Sequence, residues 1–165
     1  MQLAYLSLGA NLGDRIETMR GAMARLAHLP DSQFVAASSF YETSPVGYRS
    51  VNWFINCAAC ILTNLPPPVL LDHCRVIEAE MGRERADEPP GLIDRVLDID
   101  IITYGDLILA TPVLIIPHPR AVMRLFVMLP LCEMNPELVI EGKKACAWVE
   151  ALQRQTPPQQ VKKLS

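Results

Sequence analysis

The chain has 165 residues, of which 50% are hydrophobic and 20% charged, the balance of one globular domain built around a single core. Its net charge of -3 argues against nucleic acid as a partner, because binding to phosphate backbones needs clustered Lys and Arg. No run approaches the roughly 20 apolar residues of a membrane span, and the opening residues 1–5 lack the basic region of a signal peptide. We therefore expect a cytoplasmic monomer with reduced cysteines and no membrane partner.

Two of the five cysteines, Cys57 and Cys60, form a C-x-x-C pattern of the kind found at metal and redox sites. The surrounding residues 54–62 have the pattern of a strand, in which side chains three positions apart point to opposite faces. The two thiols then cannot close on one ion. Small apolar core side chains are the favoured interpretation.

The first half of the chain predicts a strand, a helix and two further strands. Residues 3–8 form an apolar run of strand length, and Asp14 with Glu17 is suited to cap the helix that follows. That helix is marked by apolar residues at helical spacing before Pro30: Ile16, Met19, Met23, Leu26 and Leu29. The next two strands are predicted at residues 34–41 and 53–62, separated by a turn at residues 43–47.

The second half begins with a triple proline at residues 66–68, which suits a helix start, and Gly82 suits its end. The predicted buried face of this helix is Leu70, Cys74, Ile77 and Met81. A polar loop follows at residues 83–91. The remaining predicted elements are a strand at 96–104, a short hairpin within 107–116, helices at 125–133 and 146–154, and a loose tail from residue 156.

The predicted order β-α-β-β-α-β is the ferredoxin-like arrangement. We expect an α+β fold in which helices lie on one face of an antiparallel four-stranded sheet and a small C-terminal extension follows. Residues 1–155 are expected to form one domain, and residues 156–165 a flexible tail. Because this fold hosts many activities, function has to be argued from the site.

The most specific feature is the carboxylate pair of Asp98 and Asp100 inside a run of Val, Leu and Ile. Residues two apart in a strand share a face, so the two charges lie close together. Such a pair is costly to bury without a cation, and hard oxygen ligands suit Mg²⁺. An exposed D-x-D facing solvent remains the alternative.

Three arginines, Arg83, Arg85 and Arg95, flank one polar loop that leads to this pair. Guanidinium groups beside a metal pair suit a lid that closes over a polyphosphate. The loop alone is equally typical of a solvated charge run balanced by its acidic residues. The nearby aspartates favour the phosphate interpretation.

Two further polar side chains are candidates for ligand contacts. His118 lies between two prolines, which fix its backbone, and both it and Arg124 could reach a phosphate. A structural or surface histidine is the alternative. Asn56 interrupts an apolar strand, where it could satisfy a backbone group or pair with the edge of a flat ring held by Phe54 and Phe126.

Five segments occur in order along the chain. They are residues 8–14, residues 41–47, residues 54–56, Glu78 with residues 82–85 and R-x-x-D-x-D from Arg95, and residues 116–119 with Arg124, Phe126 and residues 129–131. Together they resemble the 6-hydroxymethyl-7,8-dihydropterin pyrophosphokinase family of folate biosynthesis. The resemblance extends from the first strand to about residue 138.

This resemblance implies a ferredoxin-like enzyme that transfers pyrophosphate from ATP to the hydroxymethyl group of the pterin and releases AMP. It implies that Asp98 and Asp100 bind two magnesium ions and that Arg83 and Arg95 contact the phosphates. The residues implied to hold ATP are Glu78, Arg85, His118 and Arg124. Those implied to form the pterin pocket are Thr43, Pro45, Phe54, Asn56 and Phe126, with Phe126 stacking on the ring and Asn56 pairing with its edge.

Two departures from the family pattern bear on turnover. Ile93 and Asp94 stand where the family has Gly or Ala followed usually by Pro, and residues 87–91 are more acidic and lack an aromatic. Added negative charge weakens the attraction for a polyphosphate. Two rival hypotheses follow, a non-catalytic pterin- or nucleotide-binding relative and a ferredoxin-like interaction module without a small-molecule site.

Overall fold

The structure, a computed structural model, describes residues 1–85 and 93–164. Its longer strands are β1 (Gln2–Ala10), β2 (Ser32–Ala37), β3 (Tyr41–Thr43), β4 (Phe54–Thr63) and β5 (Asp98–Tyr104). The shorter ones are β6 (Leu109–Ala110), β7 (Ile115–Ile116), β8 (Val139–Ile140), β9 (Lys143–Lys144) and β10 (Val161–Lys163). The helices are α1 (Arg15–Leu26), α2 (Pro67–Glu80), α3 (Leu125–Met134) and α4 (Ala145–Gln153), with a 3₁₀ turn at Ala121–Met123.

The main sheet has the strand order β10-β3-β4-β1-β5, with β2 also paired to β4, and all of these pairings are antiparallel. From β1 to β5 the elements follow the order β-α-β-β-β-α-β, which is consistent with the ferredoxin-like prediction when β2 and β3 are counted as one interrupted strand. The predicted second strand is split into β2 and β3. The Ser38 hydroxyl accepts the N–H of Ala58 at 2.9 Å, so a side chain replaces a backbone acceptor where the ladder is interrupted.

Helices cover both faces of the sheet, whereas the sequence predicted them on one. Side chains of β1 alternate between the two layers, because neighbouring residues of a strand point to opposite sides. Leu6 and Leu8 face the layer of α1 and α2. Tyr5 faces a second layer formed with Met128 of α3 and Val149 of α4. The C-terminal extension therefore builds a second core instead of an appendage.

The cysteines divide into a free group and a bonded pair. Cys57 and Cys60 are buried in opposite layers, which confirms that they cannot share an ion, and Cys74 is also free and buried. Cys132 of α3 and Cys146 of α4 form a disulfide with a Cα–Cα distance of 5.0 Å. The expectation that all five thiols are reduced is wrong for this pair. Its formation depends on the packing of two helices, which the sequence pattern did not reveal.

Most helix boundaries agree with the predictions within two residues. The side chain of Asp14 accepts the N–H of Glu17 at 3.1 Å, which confirms the predicted cap of α1. That helix ends at Leu26, although Leu29 beyond it is still buried in the core. Nowhere in residues 1–85 and 93–164 does a helix have both the length and the apolar character needed to cross a membrane.

The tail that was predicted to be loose is paired with the sheet. Val161–Lys163 forms β10, which lies antiparallel to β3. Before this strand, Gln159 accepts the N–H of Leu125 at 2.8 Å and donates to the carbonyl of Met123 at 3.0 Å. The tail therefore caps the start of α3 as well as extending the sheet.

We predict that Gln159→Ala lowers the free energy of unfolding by about 1 kcal/mol, because the first N–H groups of α3 lose a side-chain acceptor. Urea unfolding measures the change. Gln160→Ala is the matched control, because the exposed neighbour contributes its backbone carbonyl to Ser44 and keeps it in the variant. Equal stability of the two variants would show that the cap contributes nothing.

Candidate active site

The polar side chains lie together at one open end of the sheet face that packs against α3 and α4. At this end β1 finishes and both β4 and β5 begin. Gly9 is paired with Asn56 on one side and with Asp98 on the other, and Ser7 is paired with Asp100. Residues paired across strands share a face, so these groups emerge side by side. Helices α3 and α4 pack further along this face and leave the end open.

A cavity that is partly open to solvent lies at this end of the sheet. Eight sequence-predicted residues line it: Thr43, Phe54, Asn56, Arg95, Asp98, Asp100, Arg124 and Phe126. The lining residues that sequence analysis missed are Ser7, Gly9, Ser44, Val46, Tyr48 and Ile93. The remaining predicted pocket residue, Pro45, lines a shallow cleft beside this cavity. Small residues at positions 7 and 9 of an apolar strand were an available signal, but their significance depends on the strand register.

One part of the cavity suits a flat polar ring. Phe54 and Phe126 both line it, and the Asn56 amide, only 3% exposed, donates to the Thr43 hydroxyl at 2.7 Å. A Cβ atom at Gly9 would lie 2.6 Å from Asn56 Oδ1, so glycine is required for this amide to lie over β1. Aromatic walls with one fixed amide provide stacking and directional pairing in the same place.

Asp98 is held between two arginines at the cavity floor. Its Oδ1 accepts from Arg83 at 2.6 Å and its Oδ2 accepts from Arg95 at 2.8 Å. Burial alone would raise the pKa of Asp98, but the charges of Arg95 and Arg83 hold it below its ordinary value. Asp98 is therefore ionised at neutral pH.

Asp100 lies beside Asp98 with weaker compensation. Its Oδ2 is 3.8 Å from His118 Nε2 and 3.9 Å from the Arg124 guanidinium, distances too long for hydrogen bonds. Burial, with the nearby charge of Asp98, raises the pKa of Asp100 to about 7. The negative charge of the two carboxylates therefore exceeds the positive charge that the surrounding side chains supply.

This pair of carboxylates fits divalent magnesium. Both supply hard oxygens, and each carboxylate has about four lone-pair sites, so Asp98 can bind a cation beside its arginines. Residues 1–85 and 93–164 contain no cluster of three or more His, Cys, Asp or Glu side chains suited to a metal. Substrate oxygens and water would complete the coordination, as is usual for Mg²⁺.

Glu78 and the arginines next to it lie beneath the floor. Glu78 is 1% exposed, and its Oε1 accepts from Arg83 at 3.0 Å and from the N–H of Ile99 at 2.8 Å. Arg85 pairs with the other oxygen of the same carboxylate. The structure thus places Glu78 and Arg83 where they position Asp98. The predicted ATP contacts of Glu78 and Arg85, and the phosphate contact of Arg83, stay predictions.

A second groove meets the cavity at Asp100. It runs along hairpin β6–β7 and is lined by Leu71, Ile101, residues 111–115 and His118. Burial and the charges of Arg124 and Arg120 lower the pKa of His118 to about 4, so its imidazole is neutral at pH 7. Its Nδ1 accepts the N–H of Arg120 at 3.1 Å, which leaves the proton on Nε2, the nitrogen nearer Asp100.

The fold and this cavity define an α+β enzyme acting on small molecules, with a cavity suited to a flat ring and a carboxylate pair suited to a metal in one cleft. The chain belongs to the 7,8-dihydro-6-hydroxymethylpterin-pyrophosphokinase (HPPK) family, whose sequence model matches residues 5–136. The resemblance inferred from the five motifs is thereby confirmed.

Curated relatives agree with this assignment. The chain is 41% identical over 145 residues to the 2-amino-4-hydroxy-6-hydroxymethyldihydropteridine pyrophosphokinase of Methylorubrum extorquens, covering 87% of this chain and 89% of that one. It is 39% identical over 143 residues to the enzyme of the same name from Bacillus subtilis, covering 87% and 84%.

Solved structures confirm the fold. An HPPK-DHPS structure in complex with substrates matches with a TM-score of 0.71 at 14% identity, over 91% of this chain and 43% of that one. The Plasmodium falciparum HPPK-DHPS with pteroate matches with a TM-score of 0.72 at 16% identity, over 93% and 43%. The chain thus spans less than half the length of these two longer proteins.

We predict that Gly9→Ala lowers the free energy of unfolding by about 1–3 kcal/mol, because the added methyl group overlaps a buried amide that is held by Thr43. Urea unfolding measures it. Gly21→Ala is the control: its Cβ would meet only the flexible ends of the Met81 and Arg25 side chains, and we expect a change below about 1 kcal/mol. Equally small losses of unfolding free energy in the two variants would contradict the close approach of Asn56 to Gly9.

Proposed function

We propose that this chain is a 2-amino-4-hydroxy-6-hydroxymethyldihydropteridine pyrophosphokinase. It would transfer pyrophosphate from ATP to 6-hydroxymethyl-7,8-dihydropterin and release AMP, a step of folate biosynthesis. Residues 1–155, completed by the tail strand β10, would form the catalytic domain. The observation that carries the proposal is that a ring cavity and a separate groove meet at Asp100, beside Asp98.

This junction supports one site for two substrates. A pterin ring in the cavity would lie between Phe54 and Phe126, with its polar edge against Asn56. The base and sugar of ATP would lie in the groove along hairpin β6–β7, so that the phosphates extend toward Asp100. The two substrates would then meet over the carboxylate pair.

Asp98 and Asp100 would hold two magnesium ions. Bound there, magnesium would neutralise the phosphate charge that otherwise repels both the acidic pair and an incoming oxygen. The surroundings of the pair support this role, since the two carboxylates lie together without enough positive charge to balance Asp100.

The side chains of this chain would orient the reactants. Asn56 and Thr43 would fix the pterin so that its exocyclic hydroxyl points at the β-phosphorus of ATP. A new bond would form between that oxygen and the β-phosphorus, the hydroxyl proton would pass to water, and the bond from the β-phosphorus to the oxygen of the α-phosphate would break as AMP leaves. Arg95, Arg124 and the Nε2–H of neutral His118 are the donors available to the phosphates.

We also propose that the enzyme works as a cytoplasmic monomer, where ATP is abundant. The acidic departure at residues 87–91 lies outside the described residues. The first alternative, a non-catalytic relative, would form no AMP from ATP. The second, an interaction module, would show no Mg²⁺-dependent ATP binding.

Asp100→Asn should abolish AMP formation while the fold is kept, because this carboxylate makes no close ion pair and its removal relieves repulsion from Asp98. Chromatographic detection of AMP from ATP and 6-hydroxymethyl-7,8-dihydropterin, with calorimetric Mg²⁺ titration, tests it. Asp106→Asn, at an exposed turn beyond β5, is the matched control. Near-native turnover of the Asp100→Asn variant would refute the metal role.

Arg95→Ala should slow turnover about 100-fold and weaken ATP binding far less, because charge on the phosphates builds up in the transition state. Pre-steady-state AMP formation and ATP calorimetry separate the two effects. Arg20→Ala, an exposed arginine of α1, controls for net charge. Equal losses in rate and in affinity would make Arg95 a binding residue only.

A further inference from the structure

Asp94 is the centre of a hydrogen-bond cluster beside the cavity. Its Oδ1 accepts from Asn11 Nδ2 at 2.7 Å and from the Tyr48 hydroxyl at 3.0 Å. Its Oδ2 accepts from the Ser50 hydroxyl at 2.8 Å and from Asn52 Nδ2 at 2.7 Å. One side chain therefore binds four donors from two distant parts of the chain.

The cluster joins the two stretches of backbone that border the cavity. Three of the donors belong to residues 44–53, here called the 44–53 segment, which connects β3 to β4. The fourth, Asn11, follows β1 and also holds the backbone of Arg95: its Oδ1 accepts the Arg95 N–H at 2.7 Å, and its own N–H donates to the Arg95 carbonyl at 3.1 Å.

Residues on both sides of this joint line the cavity. Val46 and Tyr48 of the 44–53 segment line one part of it, and Ile93 and Arg95, the neighbours of Asp94, line another. Asp94 itself lines the shallow cleft next to the cavity, together with Pro45 and Trp53. Its carboxylate therefore connects the cavity walls from outside the substrate space.

Only a carboxylate satisfies this arrangement. Each of its oxygens accepts two donors, and burial is outweighed by hydrogen bonds from Asn52, Ser50, Asn11 and Tyr48, which hold the pKa of Asp94 below its ordinary value. An asparagine at this position would turn an NH₂ group toward the amide NH₂ of either Asn11 or Asn52, whichever way it was oriented. The hydroxyl on that side can reverse and accept, but the native pairing with the amide would be lost, although shape and volume are unchanged.

We propose that Asp94 is a positioning residue that couples the 44–53 segment to Arg95. It holds the cavity wall against which the pterin would lie at a fixed position relative to the guanidinium that would bind the phosphates. This inference rests on the proposed pyrophosphoryl transfer. Asp94 touches neither substrate in it. It acts through Asn11 on the backbone of Arg95, and through Tyr48, Ser50 and Asn52 on the wall against which the pterin would lie.

The test compares Asp94→Asn with a matched variant, Glu133→Gln. Glu133 also accepts from four donors, the N–H and hydroxyl of Ser39, the hydroxyl of Tyr41 and the ammonium of Lys163, but it lies on α3 away from the cavity. Both variants neutralise a carboxylate that accepts several hydrogen bonds, so both should lower Tm by a similar amount. Only Asp94→Asn should change the kinetics.

For Asp94→Asn we expect kcat to fall about 10- to 100-fold and KM for the pterin to rise about tenfold, since small displacements of catalytic groups are costly. The Kd for ATP, measured by calorimetry, should stay within about threefold of the native value. Tyr48→Phe should give a smaller loss, and the double variant should lose less than the sum of the two, because both changes disrupt one cluster. Native-like kcat and pterin KM in Asp94→Asn, or equal kinetic losses in Glu133→Gln, would overturn the proposal.

Amide hydrogen exchange separates this inference from the proposed function. Exchange of the 44–53 segment should accelerate at least tenfold in Asp94→Asn and remain native in Glu133→Gln, with no substrate present. If the native protein formed no AMP but exchange accelerated in this way, the proposed activity would be refuted and the proposed coupling through Asp94 would be supported. Unchanged exchange in Asp94→Asn with an active native enzyme would refute the coupling alone.

Discussion

The buried ion pair of Glu78 and Arg83, extended to Asp98, is the interaction on which the site depends. Glu78 also accepts the N–H of Ile99, so the last turn of α2 is tied to the first residues of β5. Charges that leave water are tolerated only when they are paired in good geometry. This requirement fixes β5 against α2 and thereby determines where Asp98 and Asp100 enter the cleft, although Glu78 itself lies below it.

Local patterns in the sequence predicted most of the elements and much of the site. Apolar runs and helical spacing located α1, α2 and the central strands because those residues are buried, and the two-residue period of a strand placed Asp98 and Asp100 on one face. What could not be predicted depends on partners far apart in sequence. Ser7 lies next to Asp100 only through the register of β1 and β5, and Glu78 is buried where α2 meets Arg83 and the backbone of β5.

The role of Asp94 depends on tertiary contacts that the sequence does not reveal. In the sequence it was visible only as a departure from the proline usual in the family, with no indication of a role. In the structure it binds donors that lie between 42 and 83 positions away. The split between β2 and β3 at Ser38 and the Cys132–Cys146 disulfide were missed for the same reason, since each depends on tertiary proximity.

The pairing of β10 with β3 has a consequence for how copies of this protein meet. Without Val161–Lys163, the backbone groups of β3 that now face β10 would be an open edge next to the substrate cavity. Open edges recruit strands from other molecules, whereas lysines on an outer strand discourage such contacts. Lys162 and Lys163 are both exposed, so β10 shields the sheet from intermolecular β-pairing. Proteolytic cleavage ahead of residue 161 would expose the edge of β3 and make it a nucleus for aggregation.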